Sequence, residues 1–362
     1  MDIKQAMAAI VLSALASVAA YGQPPNTGTG ADMQVTAAQR QQLIDRVIEE
    51  VGVNYAFPDL ARKAGAALRA RQRHGVYEGV HSARALAEGL TTALQATTGD
   101  RHLRVVYSEQ AIPESKPDVA PAPEDIARRL AMLRSTNFGV AKVELLPFNV
   151  GYLNLVGFAP AQDAAGTIAA AMTMLAHTDA LVIDLRDNGG GDAAAVTLLA
   201  SYLFDGRTQL NDFYYRQGDR IEQRWTWDAV PGLRYGQKKD VVVLTSKFTF
   251  SAAEDFAYAL KNLKRVTVVG ETTAGGANPG NDIRLAPHFS AFVPLGRAIS
   301  PVTGTNWEGV GVMPDVSVCA DAALASAQVA ILTKLAISEA NPVTRDDLAK
   351  RIAALGADIR CP

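Results

Sequence analysis

One turn organises this sequence: Asp184-Leu185-Arg186-Asp187-Asn188-Gly189-Gly190-Gly191-Asp192. It follows an apolar run, 180–185, that is typical of a buried strand, and it precedes an Ala-rich run, 193–203, that is typical of a helix. Glycines allow close approach of another chain, and the N–H groups at a helix start attract negative charge. The consecutive glycines match neither a Walker A loop nor the spaced glycines of a dinucleotide-binding turn. The turn therefore either holds an anion or only connects a strand to a helix.

Strands and helices alternate on both sides of this turn. The strand-like runs are 150–155, 180–185, 241–245, 266–269 and 291–294, and the helical runs are 165–176, 193–203, 252–263 and 322–338. Such alternation predicts an α/β domain with a mostly parallel sheet. In front of it, residues 36–97 have helical periodicity, which predicts a small helical bundle followed by a short strand at 103–107.

A serine lies at the start of one of these helices. Ser251 follows the strand-like run 241–245, and Glu254 comes three residues later. The pair fits a helix capping box, in which serine only caps the helix. A serine at a helix start beyond a strand end also suits a nucleophile, because the N–H of Ala252 would then point at the oxygen of a tetrahedral intermediate.

A serine nucleophile needs a base and an acid. The five histidines are His74, His81, His102, His177 and His288. His102 lies at the entry to the short strand at 103–107, whereas the positions of the other four fit solvated or helix-terminal side chains. Glu308 lies in a glycine-rich loop, 304–315, where it is either the orienting acid or a solvated carboxylate.

In this order, these motifs resemble the tail-specific, or carboxy-terminal processing, serine peptidases. Residues 184–191 resemble the family's Asp-Leu-Arg-x-Asn-x-Gly-Gly turn, 251–254 its nucleophile motif, and 270–276 the segment that carries a general-base lysine in one branch. Segments 99–105 and 293–315 resemble the branch of the interphotoreceptor retinoid-binding protein module and the tricorn protease core. The resemblance implies a ClpP/crotonase-like α/β domain.

The sequence departs from the lysine-using branch. That branch places the lysine about 25 residues after the serine, where this chain has Gly276, and no lysine occurs between Lys264 and Lys334. The tricorn-like branch uses an upstream histidine and a downstream glutamate, and His102 and Glu308 match those places. The resemblance therefore implies a Ser251–His102–Glu308 arrangement in place of a Ser-Lys dyad.

The resemblance also implies roles for other residues. The N–H groups of Gly190 and Ala252 would form the oxyanion hole, with Gly189 and Gly191 as alternatives to Gly190. Arg297 would bind a substrate carboxylate or form a structural ion pair. The chemistry calls for no metal and no other cofactor, and the substrate would be a peptide or protein. Two alternatives remain: a non-catalytic protein that binds hydrophobic ligands such as retinoids or fatty acids, and an esterase that uses the same site.

Composition narrows the function classes further. The 362 residues include 35 Lys+Arg and 37 Asp+Glu, a net charge of −2 that gives no basic field for nucleic acid. Lys4, the apolar run 6–20 and the small residues Ala20 and Gly22 predict a cleaved signal peptide, export to the periplasm or medium, and no stable membrane insertion afterwards. In an oxidising compartment, Cys319 and Cys361 are either one disulfide or two thiols.

These patterns together predict the domain organisation of the chain, while the oligomeric state is not predicted. The predicted segments are a signal peptide (1–22), a flexible lead-in (23–35), an N-terminal helical domain (36–107), a linker (108–123) and an α/β peptidase domain (124–362).

Overall fold

The computed structural model describes residues 32–114 and 122–361. The predicted signal peptide lies outside these ranges, as do most of the predicted lead-in and the part of the predicted linker at 115–121. The predicted domain boundaries stay predictions.

Nine α-helices are described. Their bounds are α1 (Ala37–Asn54), α2 (Pro58–Arg73), α3 (Ala83–Thr98), α4 (Pro123–Ser135), α5 (Ala161–Leu175), α6 (Ala193–Ser201), α7 (Ala252–Asn262), α8 (Ala320–Ser338) and α9 (Pro342–Asp358).

Twelve strands are described. Their bounds are β1 (Arg104–Tyr107), β2 (Val140–Leu146), β3 (Val150–Leu155), β4 (Ala180–Asp184), β5 (Asp212–Tyr215), β6 (Arg220–Glu222), β7 (Asp240–Thr245), β8 (Thr267–Gly270), β9 (Gly280–Ala286), β10 (Phe289–Pro294), β11 (Gly296–Ile299) and β12 (Val316–Ser317).

The main sheet has six strands in the order β12-β8-β7-β4-β3-β2, and only the β2–β3 pair is antiparallel. This confirms the predicted α/β fold with a mostly parallel sheet. Every residue of β4 is buried, because helices cover both faces of the sheet. Helices α5, α6 and α7 pack on one face, and α8 and α9 pack on the other.

The topology of this sheet brings the predicted motifs together. Strands β4 and β7 are parallel neighbours, so their carboxyl ends lie at the same edge. The glycine turn follows β4, and the segment with Ser251 follows β7. The N–H of Phe250 donates to the carbonyl of Asn188 at 3.0 Å, which ties the two turns together. Loops at this edge commonly build the sites of α/β proteins.

The N-terminal helices share a core with later strands. Strand β1 pairs with β10, and β10 pairs with β9, in an antiparallel sheet that packs against α1, α2 and α3. The strand predicted at 291–294 therefore belongs to this sheet and not to the parallel one. Helix α3 begins at the N-cap Ser82, and Gly99 ends it in a left-handed conformation, which turns the chain toward His102 and β1.

A third, small sheet has the order β11-β5-β6 and forms one wall of a cleft described below. Near the C-terminus, Cys319 and Cys361 form a disulfide with their Cα atoms 5.6 Å apart. The bridge ties the end of the described chain to the start of α8. Among the described helices, α8 alone has the length and hydropathy of a membrane span, and its buried residues pack on the parallel sheet.

Candidate active site

Ser251 lies in a strained turn at the start of α7. Its backbone has φ 57° and ψ −118°, a conformation that non-glycine residues rarely adopt. Backbone strain of this kind costs about 1–3 kcal/mol and persists where contacts with the surrounding residues hold the strained conformation. The Ser251 Oγ lies 3.0 Å from Nε2 of His102, within hydrogen-bond distance. The structure thus brings together the predicted nucleophile and the predicted base, which are 149 residues apart in the chain.

A buried carboxylate fixes the backbone of this turn. Glu254 is fully buried, and its Oε2 accepts the N–H of Ser251 at 2.8 Å. Its oxygens also accept the Thr273 hydroxyl and the N–H groups of Gly275 and Gly276. Burial raises the pKa of Glu254, and these four donors oppose the shift. The predicted capping interaction of Glu254 with the Ser251 N–H is therefore present, while the Ser251 hydroxyl faces His102.

His102 is held between aromatic rings. Its ring centroid lies 4.5 Å from that of Phe250 and 5.5 Å from that of Phe292. Burial, with a smaller contribution from Arg104, lowers the pKa of His102 to about 3. The imidazole is therefore neutral at pH 7, which is the form that accepts a proton.

Two carboxylates lie near the imidazole. One oxygen of Asp100, one of Glu308 and a ring nitrogen of His102 all lie within 4.8 Å of one another. Glu308 Oε2 accepts the N–H of Ala277 at 2.6 Å. Glu308 Oε1 and His102 Nδ1 are both buried, and neither has a hydrogen-bond partner among the residues that the structure describes. Glu308 thus lies beside the imidazole without a direct hydrogen bond to it.

The pKa of Glu308 is raised to about 7. Burial is the main cause, and the charge of Asp100 adds to it. Catalytic acids and bases commonly have pKa values that are shifted in this way. Glu308 therefore changes its charge in the neutral pH range.

Gly276 is the residue that the resemblance predicts at the place of the lysine of the other branch, and its surroundings leave no room for a side chain. A Cβ atom there would lie 2.2 Å from Phe250 Cε2 and 2.7 Å from His102 Cε1. The carbonyl of Gly276 accepts Nε1–H of the buried Trp307 at 2.8 Å. The His102 and Phe250 rings therefore fill the space that a longer residue at 276 would need.

The glycine turn approaches Ser251 closely. A Cβ at Gly190 would lie 2.7 Å from Ser251 Cβ, and its φ of 105° also favours glycine. However, the N–H of Gly190 donates to Asn188 Oδ1 at 2.8 Å, so it is not free to bind an oxyanion here. Gly191 and Ala252 both line the cleft. Ala252 begins α7, so its N–H lacks a helical carbonyl partner.

The cleft at Ser251 has a volume of about 960 Å³. Aromatic side chains form much of its wall, namely Phe213, Tyr215, Trp225, Trp227, Phe292 and Trp307. Its two cationic side chains, Arg220 and Arg224, pair with Glu222 and Asp255. Arg224 also donates to the Ala193 carbonyl and the Thr197 hydroxyl.

The structure does not bring Arg297 to this cleft. Arg297 lies on β11, is exposed, and stacks over Tyr214 with its guanidinium carbon 5.1 Å from the ring centroid. It is not among the residues that line the cleft, and it forms no ion pair with any residue that the structure describes. Its strand partner is Tyr214, whereas Phe213 and Tyr215 on the same strand line the cleft, so Arg297 lies on the opposite face of the small sheet. Its role in substrate binding stays a prediction.

One group of residues has the chemistry of metal ligands. In the described parts of the chain, Asp100, His102 and Glu308 alone form a cluster of three such side chains. Both oxygens of Asp100 already accept hydrogen bonds, and Nε2 of His102 faces Ser251. The donor set therefore fits an acid–base site better than a metal centre.

Comparison with protein-family models matches two parts of the chain. Residues 149–318 match peptidase family S41, and residues 33–147 match the N-terminal domain of peptidase family S41 in eukaryotic IRBP. The chain belongs to peptidase family S41. This confirms the family that the sequence motifs indicated.

Curated relatives of this S41 chain are processing peptidases. The chain is 30% identical over 186 residues to the chloroplastic C-terminal processing peptidase of Tetradesmus obliquus, and this alignment covers 49% of the chain. It is 29% identical over 168 residues to the chloroplastic carboxyl-terminal-processing peptidase 2 of Arabidopsis thaliana, which covers 46% of this chain. The chain spans about a third of the length of these relatives, 36% and 31%.

Solved structures share the fold of this S41 chain at low identity. A lipoprotein from Streptococcus agalactiae has a TM-score of 0.54 at 13% identity, covering 84% of this chain and 99% of the lipoprotein. Mature CPAF has a TM-score of 0.52 at 13% identity, covering 78% of this chain and 94% of CPAF. At these identities, the likeness shows a shared fold alone.

Sequence reasoning missed two polar residues beside His102 in this S41 chain. Asp100 contacts the backbone of His102, and Asn278 donates to Asp100. Asp100 has no motif signal of its own apart from lying two residues before His102. Asn278 lies in a loop far along the chain, so only the fold brings it here.

Proposed function

We propose that this chain is a serine-type peptidase in which Ser251 is the nucleophile, His102 the base and Glu308 the orienting acid. The observation that carries the proposal is the 3.0 Å contact between Ser251 Oγ and His102 Nε2 in a strained turn. The family assignment and the names of the curated relatives support peptide bonds as the substrate.

The first step is a proton transfer. His102 is neutral at pH 7, so Nε2 accepts the proton of Ser251 as Oγ attacks a scissile carbonyl. The Nδ1 proton then needs an acceptor, and Glu308 Oε1 is a buried acceptor without a partner among the described residues. A small approach of Glu308 on substrate binding completes the hydrogen bond, as is common when catalytic contacts are long without substrate.

Backbone donors stabilise the oxyanion that forms. Ala252 supplies one N–H at the start of α7. The second donor is a glycine of the turn, where Gly191 lines the cleft and Gly190 would first have to release Asn188 Oδ1. One such donor is worth about 3–4 kcal/mol of transition-state stabilisation in comparable sites. Water then hydrolyses the acyl-enzyme.

A turnover panel tests this function. We expect quenched fluorescent peptides to be cleaved by the wild type, and cleavage to disappear in both Ser251→Ala and His102→Ala. The exposed His177 provides the matched control, His177→Ala, which should keep full activity. Cleavage of esters without cleavage of any peptide would indicate an esterase. Tight retinol binding without turnover of either substrate would indicate a binding protein.

Cleavage by this site should not depend on a free C-terminal carboxylate. Both cationic side chains of the cleft are already paired with acidic ones, and Arg297 lies elsewhere. For a peptide that is cleaved, we expect the free acid and its C-terminal amide to have kcat/KM values within about threefold, less than the tenfold effect of 1.4 kcal/mol. A tenfold or larger preference for the free acid would contradict this prediction.

Activity should rise with pH through the neutral range. The ionised form of Glu308 accepts the Nδ1–H hydrogen bond and stabilises the imidazolium, and the pKa of Glu308 is about 7, so activity falls as Glu308 is protonated below that pH. In a plot of kcat/KM against pH, this rise forms the neutral limb. We expect Glu308→Gln to flatten the neutral limb and to lower kcat by about 10²- to 10⁴-fold. An unchanged limb in this variant would remove Glu308 from the orienting role.

Export to the periplasm or medium is part of the proposal. The predicted signal peptide supports it, and so does the Cys319–Cys361 disulfide, because disulfides persist mainly in oxidising compartments.

A further inference from the structure

Asp100 is a buried carboxylate that the proposed mechanism does not use. Only 2% of its surface is exposed. Its Oδ1 accepts the backbone N–H of His102 at 2.9 Å. Its Oδ2 accepts the Tyr55 hydroxyl at 3.0 Å and Asn278 Nδ2 at 2.9 Å. These three donors hold the carboxylate in one position and favour its ionised form, while burial raises its pKa.

The charge of Asp100 is not neutralised by an ion pair. Its hydrogen-bond donors are all neutral, and no lysine, arginine or histidine of residues 32–114 and 122–361 forms an ion pair with it. Besides the Tyr55 hydroxyl, the ionisable groups close to it are His102 and Glu308, within the 4.8 Å cluster. Burying a charge without an opposite charge beside it costs free energy of folding, so a buried carboxylate next to the imidazole indicates a role in the site.

We propose that Asp100 is a positioning residue of this site, which holds the backbone of His102 against Ser251 and places a second negative charge beside the imidazole. This inference rests on the function proposed above. When His102 takes the proton of Ser251, a positive charge appears in a site with little water, and the charge of Asp100 stabilises it. Asp100 acts through His102 and does not touch the substrate.

The hydrogen bonds of Asp100 also connect three parts of the molecule. Tyr55 follows α1, His102 precedes β1, and Asn278 lies in the loop before β9 and lines the cleft. The N-terminal helices α1 to α3 therefore contribute to the geometry of the site through Tyr55 and Asp100. Asn278 connects the same carboxylate to the wall that a substrate would contact.

The charge of Asp100 also affects Glu308. The ionisable groups that act on this cluster are Tyr55 from the end of α1, Glu254 from α7, and Arg104 from β1, besides His102 and Glu308 themselves. The charges of Asp100 and, less strongly, Glu254 raise the pKa of Glu308, and burial raises the pKa of Asp100 itself. Removing the charge of Asp100 therefore lowers the pKa of Glu308, so that Glu308 ionises at a lower pH.

The test is the pH profile of Asp100→Asn, which removes the charge and keeps the size. We expect kcat to fall about 10- to 100-fold with little change in KM, since small displacements of a catalytic group have effects of this size. We also expect the neutral limb of kcat/KM to move to lower pH by about one unit. The matched control is Asp179→Asn, because Asp179 is exposed and accepts a hydrogen bond from Asn149 in the same way.

Two further measurements separate the outcomes. The double variant D100N/N278D exchanges the carboxylate and the amide, so that a negative charge stays in the cluster. If Asp100→Asn does not fold, the activity of this double variant decides the question. We expect it to recover the fold and part of the activity. A wild-type limb in folded Asp100→Asn, or a loss of kcat in that variant without any shift of the limb, would overturn the proposal, and so would a folded double variant that recovers no activity. Absence of both peptide cleavage and fluorophosphonate labelling in the wild type would instead overturn the proposed function.

Discussion

Replacing Ser251 with alanine should reduce kcat for peptide hydrolysis by about 10⁴- to 10⁶-fold, as in other enzymes that lose a serine nucleophile. The variant lacks the oxygen that lies 3.0 Å from His102 Nε2, so no acyl-enzyme forms. The fold should remain, because the hydrogen bond of Glu254 to the backbone N–H of residue 251 does not need the hydroxyl. The measurements are kcat on a quenched peptide and the melting temperature.

A matched serine variant makes this result specific. Ser338 is exposed at the end of α8, and its hydroxyl donates to the Leu335 carbonyl. Ser338→Ala should keep the wild-type kcat. Peptide cleavage by Ser251→Ala within tenfold of the wild-type rate would show that another residue is the nucleophile.

The second large effect is expected at Gly276. In Gly276→Ala, the new methyl group would meet Phe250 and His102 at distances that real Cβ atoms do not adopt. The backbone cannot withdraw easily, because Glu254 holds the N–H of Gly276 and Trp307 holds its carbonyl. The imidazole must therefore move, and we expect kcat to fall at least about 100-fold. Overpacking should also lower the free energy of unfolding by about 1–3 kcal/mol.

Gly166→Ala is the control for this substitution. Gly166 lies within α5, and a Cβ there would have no atom within 4 Å. This variant should keep full activity and gain up to about 1 kcal/mol of stability, because alanine favours a helix over glycine. Kinetics and thermal melts of the two variants test the prediction together. Wild-type kcat in Gly276→Ala would show that His102 does not need its present position.

The glycine turn and the serine turn of the site could be predicted from the sequence, because local sequence pattern and the order of the strands determine their positions. The buried run that became β4 leads directly into the glycine turn, and the serine follows the neighbouring strand β7. Parallel strands place both turns at one sheet edge, so Gly190 and Ser251 had to meet there. His102 could be chosen from five histidines only through the family resemblance and the glycine at position 276.

Non-local contacts account for what the sequence did not reveal. The strand at 291–294 pairs with β1, nearly 190 residues away, and nothing local distinguishes it from a strand of the parallel sheet. The hydrogen bond from Gly190 to Asn188 depends on the conformation of the turn, which glycine leaves open. Asp100 and Asn278 come into contact only when the N-terminal helices pack against the rest of the chain.

The most direct measurement of the central claim is the site and rate of fluorophosphonate labelling. We predict one adduct by intact mass, located on Ser251 by peptide mapping. Its rate of formation should fall at least about 100-fold in His102→Ala and should not change in His177→Ala. An adduct on another residue, or an unchanged rate in His102→Ala, would contradict the assignment of Ser251 and His102 as nucleophile and base.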